Sequence, residues 1–288
     1  MFLNNSKEDF EESPLIITSP HSGTIYPKFF LKNLDSKLNY CKSIEDMFVD
    51  KLIDNKKFKN KMAFHKAHLS RSVIDLNRKS SELDITKIKG NLNFNVVNSR
   101  YVKSGIGLIP SNTPLGELKH KKKITADEVS ALIDKYYKPW HQELEKLIKM
   151  KLNKFGKVFI LDCHSMPSID ISSKFKFDLP DIVLGNCKGN SCSNKNINFV
   201  KHLFSERKFS VGINSPYSGG FITQNYHNIS RNIETLQIEI RRDLYMDELS
   251  FKKNYNFKKI KDNLFEIISS FNLKLIDDCD SKFMLAAQ

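Results

Sequence analysis

Three short apolar runs in this chain stop abruptly at polar, reactive residues, and this pattern constrains the fold more than any other feature. Leu15-Ile16-Ile17-Thr18 leads into Ser19-Pro20-His21-Ser22-Gly23, and Val158 to Leu161 leads into Asp162-Cys163-His164-Ser165. Further on, Leu236, Ile238 and Ile240 alternate with Thr235, Gln237 and Glu239, the two-residue period of a strand. Further strands are expected at Met62 to Phe64, Ser72 to Leu76 and Ile182 to Leu184. Between these runs lie helical patterns. Ile44, Met47, Phe48 and Leu52 recur at helical spacing, as do Val129, Leu132, Ile133 and Tyr136, and then Ile197, Val200, Leu203 and Phe204. Thr125 and Glu128 have capping-box spacing, Pro139 is expected to kink or break the helix they start, and an amphipathic helix spans Phe257 to Phe271. Alternating strands and helices predict an α/β fold with a sheet flanked by helices. In such sheets ligands collect at the carboxyl ends of the strands, where the reactive residues of this chain fall.

Residues 77–123 interrupt the pattern. They lack clear periodicity, hold Gly105, Gly107, Pro110, Pro114 and Gly116, and read as a long loop or an excursion from the sheet. No repeat or composition shift marks a boundary, so the 288 residues are expected to form one domain. A chain of this length buries roughly 75% of its unfolded surface, enough for a structured pocket.

Composition excludes several function classes. No run approaches the roughly 18 apolar residues of a membrane span. Met1 to Glu12 lacks the marks of a secretory signal, and the five cysteines are few, odd in number and scattered, so a cytoplasmic protein without disulfides is expected. Cys163 is read as packing rather than as a nucleophile. The net charge of +13 raises nucleic-acid binding. However, 39 of the 46 basic residues are lysines spread along the chain, the only triplet is Lys121-Lys122-Lys123, and no nucleic-acid motif accompanies them. Nucleic acid is therefore not the expected partner.

The chemistry-bearing residues suggest a metal. Two histidines at two strand ends can converge, and a catalytic zinc needs three protein ligands and one open position. Asp46 and Asp50, four residues apart in a helical pattern, would share a face and offer the carboxylate, and Glu45 stands beside them. Only seven arginines occur, and four fall in compact segments: Arg71, Arg78, Arg241 and Arg242. Their planar forks suit a substrate carrying carboxylates.

The segments SPHSGTIYP at 19–27, EDMFVDKL at 45–52, RSVIDLNR at 71–78, LDCHSMPS at 161–168, DIVLGNCKGNSC at 181–192, NSPYSGGFITQNY at 214–226 and LQIEIRRDLYMDE at 236–248 together resemble the N-formylglutamate amidohydrolase (N-formylglutamate deformylase) family. The resemblance implies a mixed, largely parallel sheet flanked by helices, zinc-carboxypeptidase-like (phosphorylase/hydrolase-like). It implies metal ligands at His21, Asp46 and His164 for Zn2+ or another divalent transition metal, with Glu45 and Asp50 close enough to replace Asp46. It implies a general base at Glu239 and hydrolysis of N-formyl-L-glutamate to formate and glutamate, a reaction of histidine degradation. Asp162 is placed to orient His164. Arg71, Arg78, Asn214, Tyr226 and Arg241 are the expected substrate-binding residues, Tyr217 is a further candidate for the pocket, and Gly189, Gly219 and Gly220 should serve tight turns near it. The chain departs from the family pattern at Gln224, where a basic residue is expected, and at Tyr226-His227, where Tyr-Gly is expected. These departures bear on the substrate, and two rivals remain: a zinc hydrolase acting on another N-acyl amino acid or a γ-glutamyl or peptide amide, and a metal-free protein that binds anions or nucleic acid.

Overall fold

A computed structural model describes residues 12–54, 62–169 and 176–286. Its centre is a six-stranded sheet. In chain order the strands are β1 (Leu15–Ser19), β2 (Ala63–Lys66), β3 (Val158–Met166), β4 (Ile182–Gly185), β5 (Val211–Ile213) and β6 (Ile233–Arg241), and in space they run β2-β1-β3-β6-β4-β5. Strands β2, β1, β3 and β6 are mutually parallel, β4 runs antiparallel to β6, and β5 is parallel to β4. The sheet is thus mixed and largely parallel, as expected.

The central strands are apolar because both faces are covered. All nine residues of β3 are buried. Leu15, Ile17, Phe159, Leu161, Leu236 and Ile238 face one layer, made by helices α2 (Val49–Ile53), α5 (Asn194–Glu206) and α7 (Phe257–Ala286). Ile16, Val158, Ile160 and Ile233 face the other. That second layer contains α3 (Ala126–Leu132), α4 (Lys138–Phe155), α6 (Phe221–Tyr226) and apolar residues of the 77–123 excursion, such as Leu83, Leu108 and Leu118. Within it Trp140, 2% exposed, lies 4.3 Å from the His65 ring and 5.0 Å from the His141 ring. Burial lowers His65 to about 4 and His141 to about 3, so both rings pack as neutral groups.

Strand register delivers polar residues to one end of this second face. Thr18 pairs with Asp162, Asp162 with Gln237, and His164 with Glu239. Neighbouring partners in parallel strands point to the same side, so an apolar floor gives way to acids, amides and imidazole at the strand ends.

Three local expectations change. Residues 38–53 do not form one helix: α1 (Leu38–Ile44) and α2 are separated by a turn in which Phe48 adopts φ 65, the left-handed region that an aromatic side chain rarely occupies. Asp46 and Asp50 therefore do not share a helical face. Ser72 to Leu76 is not a strand but a turn that packs Val73 and Ile74 under the excursion. Finally, Pro139 does not break its helix. The capping box at Thr125 and Glu128 starts α3, and a π-turn over Ile133–Tyr137, in which the Lys138 N–H bonds the Ile133 carbonyl five residues back, carries the helix on through Pro139 into α4. Among the described residues no helix is long and apolar enough to cross a membrane, and all five cysteines are free.

Candidate active site

The turn after β1 and the end of β3 bring His21 and His164 together, with ring centroids 4.8 Å apart. Asp46 completes the group. The Phe48 turn swings its backbone N–H onto the carbonyl of His21 at 3.0 Å and points its carboxylate between the two rings. Asp46 Oδ2 lies 3.4 Å from His21 Nδ1 and 2.9 Å from His164 Nδ1. All three side chains are buried, and one donor atom from each lies within 4.8 Å of the others.

The far sides of both rings are also occupied. His21 Nε2 lies 2.7 Å from Asp75 Oδ1, and His164 Nε2 lies 3.0 Å from Asp162 Oδ2. Carboxylates on Nε2 leave both Nδ1 atoms facing Asp46, which is how ligating histidines are oriented at metal sites. Thr18 donates to Asp162 Oδ1 at 2.7 Å and steadies it. Asp75 is steadied by Arg71, whose Nε and Nη2 donate to Oδ2 at 3.0 and 2.7 Å. Two imidazoles and one carboxylate suit zinc or another divalent transition metal.

The electrostatics agree with the geometry. Burial opposes charge on Asp46, but its bonds to His164 and His21 outweigh this and hold the carboxyl well below its ordinary range. Burial likewise opposes charge on His164, yet Asp162 and Asp46 raise its affinity for a proton well above normal. The same negative field favours a cation between the rings.

Glu239 sits beside His164 across the β3–β6 pair and is buried. Burial pushes it up to about 7, with the His164 charge opposing and the Asp46 charge adding. Gln237 Nε2 donates to Glu239 Oε1 at 2.7 Å, and the Gly220 N–H donates to Gln237 Oε1 at 2.7 Å. The other Glu239 oxygen bonds no group among the described residues.

A cavity of about 430 Å³ opens over this cluster. His21, Asp46, Arg71, Arg78, His164, Tyr217 and Glu239 line it, as do Gln237, noted in its strand but given no role, and three residues that the sequence did not single out: Asn77, Arg100 and Tyr101. Arg242, one of the four arginines that the sequence links to a carboxylate substrate, also lines it. Asn77 accepts the Ile222 N–H at 2.7 Å and holds its amide nitrogen 3.2 Å from His164 Nε2. The Tyr217 phenol is pushed up to about 12 by burial and then by the Glu239 charge. Two of the three expected glycines lie in the cavity wall: Gly219 has φ +128, and a Cβ on Gly220 would come 2.3 Å from the Asn77 amide nitrogen, whereas Gly189, at φ +93, serves a turn after β4 and does not line the cavity.

Several sequence expectations are placed elsewhere. Asp50 pairs with Lys51 and Lys66 outside the cluster, and Glu45 turns to Ser70 and Tyr26. Tyr226 does not line the cavity; its hydroxyl lies 2.7 Å from His141 Nδ1 in the second layer. Asn214 exchanges amide bonds with Asn186 at 2.8 and 3.0 Å, bracing the turn after β4. Arg241 is paired with Asp181 and Asp243 at 3.0 and 2.8 Å. Strand period alone would put Arg241 on the side of Glu239, but β6 ends at Arg241 and the one-turn 3₁₀ helix Arg242–Leu244 follows, so Arg242 is the one that reaches Asp46, at 3.4 Å. The Gln224 amide nitrogen donates to the Gly219 carbonyl at 3.0 Å. Cys163 is 1% exposed, and burial raises its thiol well above the ordinary value, which suits packing.

The N-formylglutamate amidohydrolase family model matches residues 13–246. The chain belongs to the N-formylglutamate amidohydrolase family. Two relatives carry the name N-formylglutamate deformylase. The Pseudomonas putida protein is 27% identical over 185 residues, and the match spans 63% of each chain, just under two thirds of that relative. The Pseudomonas aeruginosa protein is 26% identical over 241 residues, 82% of this chain and 83% of that one. The crystal structure of N-formylglutamate amidohydrolase from Ralstonia eutropha JMP134 superposes with a TM-score of 0.84 at 28% identity, covering 94% of this chain and 96% of that one. A protein from Agrobacterium tumefaciens, 15% identical with a TM-score of 0.58, shares the fold.

Proposed function

We propose that this member of the N-formylglutamate amidohydrolase family is a metal-dependent amidohydrolase that splits N-formyl-L-glutamate into formate and L-glutamate. One observation carries the reading: His21, Asp46 and His164 converge at the strand ends, with Glu239 beside them, under an arginine-lined cavity. The names of the relatives supply the substrate.

His21 Nδ1, His164 Nδ1 and one Asp46 oxygen would hold the cation. A zinc ion there lowers the pKa of water to about 7 and polarises an amide carbonyl. Asp75 and Asp162 keep the two rings turned so that both Nδ1 atoms face Asp46. Glu239 takes a proton from the attacking water on its free oxygen, while Gln237 holds the other. The same carboxyl then returns the proton to the departing amine, so that glutamate leaves with a neutral nitrogen. Cavity arginines with donors to spare bind the substrate's carboxylates and set the formyl group against Glu239.

Formate release from N-formyl-L-glutamate by purified protein, before and after chelation and after zinc is restored, tests this reading. Release that stops with chelator and returns with zinc is the expected outcome. Metal retained without release would move the substrate to another N-acyl amino acid or a γ-glutamyl or peptide amide. Neither metal nor release would leave a binding protein.

A further inference from the structure

Four arginines line the cavity, and they differ in how many donors remain free. Arg71 is committed: Nε and Nη2 donate to Asp75 and Nη1 to the Ile44 carbonyl at 3.2 Å. Arg242 is committed as well, with Nε on Ser165, Nη1 on the Ser43 carbonyl and Nη2 on Asp46. These two arginines support the metal cluster and its walls.

Arg78 and Arg100 are different. Arg78 Nε and Nη1 donate to the Ile106 and Asn77 carbonyls, both at 2.8 Å, which fixes the guanidinium, while Nη2 bonds no protein group among the described residues. Arg100 is exposed and makes one such bond, Nη2 to the Tyr101 hydroxyl at 3.0 Å. Both guanidiniums lie over the Tyr101 ring, 4.0 and 4.9 Å from its centroid. An aromatic ring can hold two like charges this close because its face attracts each of them. Arg100 starts a one-turn helix, Arg100–Lys103, capped by Ser99 and carried by the 77–123 excursion rather than by the sheet.

From this donor accounting we infer that Arg78, Tyr101 and Arg100 form the subsite for the substrate's side-chain carboxylate. This rests on the reading that the site cleaves an N-formyl dicarboxylic amino acid. Chemistry is then supplied by the sheet and selection by the excursion. Arg78 is a fixed donor. Arg100 is free to close on a carboxylate and form the two-point contact that a neutral amide side chain cannot match.

The test compares wild type with Arg100→Gln and Arg100→Lys. Binding of L-glutamate and L-glutamine is measured by calorimetry, and formate release is measured from N-formyl-L-glutamate and N-formyl-L-glutamine. The preference for glutamate over glutamine should fall roughly 10- to 100-fold in Arg100→Gln, mainly in KM, with partial recovery in Arg100→Lys. A structural role would weaken both ligands alike. Such a parallel loss, or an unchanged preference, overturns the subsite, and with formate still released the deformylase reading survives. A preference lost in Arg100→Gln without formate release by wild type upholds the subsite and removes the deformylase reading. Wild type that neither binds the two amino acids nor cleaves their formyl derivatives overturns both.

Discussion

At the scale of single residues, the candidate centre divides into groups that hold and groups that react. His164→Ala should lose both metal, measured by elemental analysis, and formate release. Glu239→Gln should keep the metal and lose turnover by roughly 10²- to 10⁴-fold, the range of a positioned general base. Near-normal turnover in that variant would remove Glu239 from the role. Asp75→Asn should weaken metal binding by about 10- to 100-fold in a chelator competition, because it loosens His21 without touching the cation. An unchanged affinity would make Asp75 a partner of Arg71 only. His21, His164 and Glu239 were legible in the sequence because each follows or sits in an apolar strand run. Asp75, Asn77, Arg100 and Tyr101 were not assigned there, since they come from a turn and an excursion whose path over the sheet leaves no periodic trace. Arg78 and Arg241 were given the same role on the same grounds, yet only Arg78 faces the cavity.

Elements show the same division. The central strands were legible because burial on both faces forces continuous apolar runs, and α3 because its cap has a defined spacing. The break between α1 and α2 was not, because the left-handed residue is Phe48 rather than a glycine and the apolar spacing runs through it. That break matters, since it aims Asp46. The loop before α6 has a similar function: Gly220 lets Asn77 approach and donates its N–H to Gln237. Gly220→Ala should displace Asn77 and lower kcat by about 10- to 100-fold with the far-UV circular dichroism unchanged. Full activity in this variant would show that the Asn77 contact does not position the site.

For the molecule as a whole, stability should depend on pH through its neutral buried histidines. His65 and His141 have folded values of about 4 and about 3, below the unfolded value of 6.5. Their stabilisation is fully present above about pH 6.5. As the pH falls towards 4 the unfolded chain takes up protons that the folded chain refuses, so stability drops, by up to about 1.4 kcal/mol per pH unit for each ring. The neighbouring groups are Glu143 beside His65, and Tyr137 and Tyr226 beside His141. His141→Asn should flatten the slope of denaturant midpoint against pH between 6.5 and 4, and an unaltered slope would locate the acid sensitivity elsewhere.

The two layers of the fold are not equally visible to spectroscopy. Trp140 is the only tryptophan in the chain, and it lies between those two histidines in the layer that carries the cavity. Intrinsic tryptophan emission therefore reports on one side of the sheet, while circular dichroism reports on both. Protonated imidazole quenches indole, so acid should dim this signal as the cavity layer loosens, even while α5 and α7 remain packed on the opposite face. The distance between the two melting curves would measure how tightly the sheet couples its two sides.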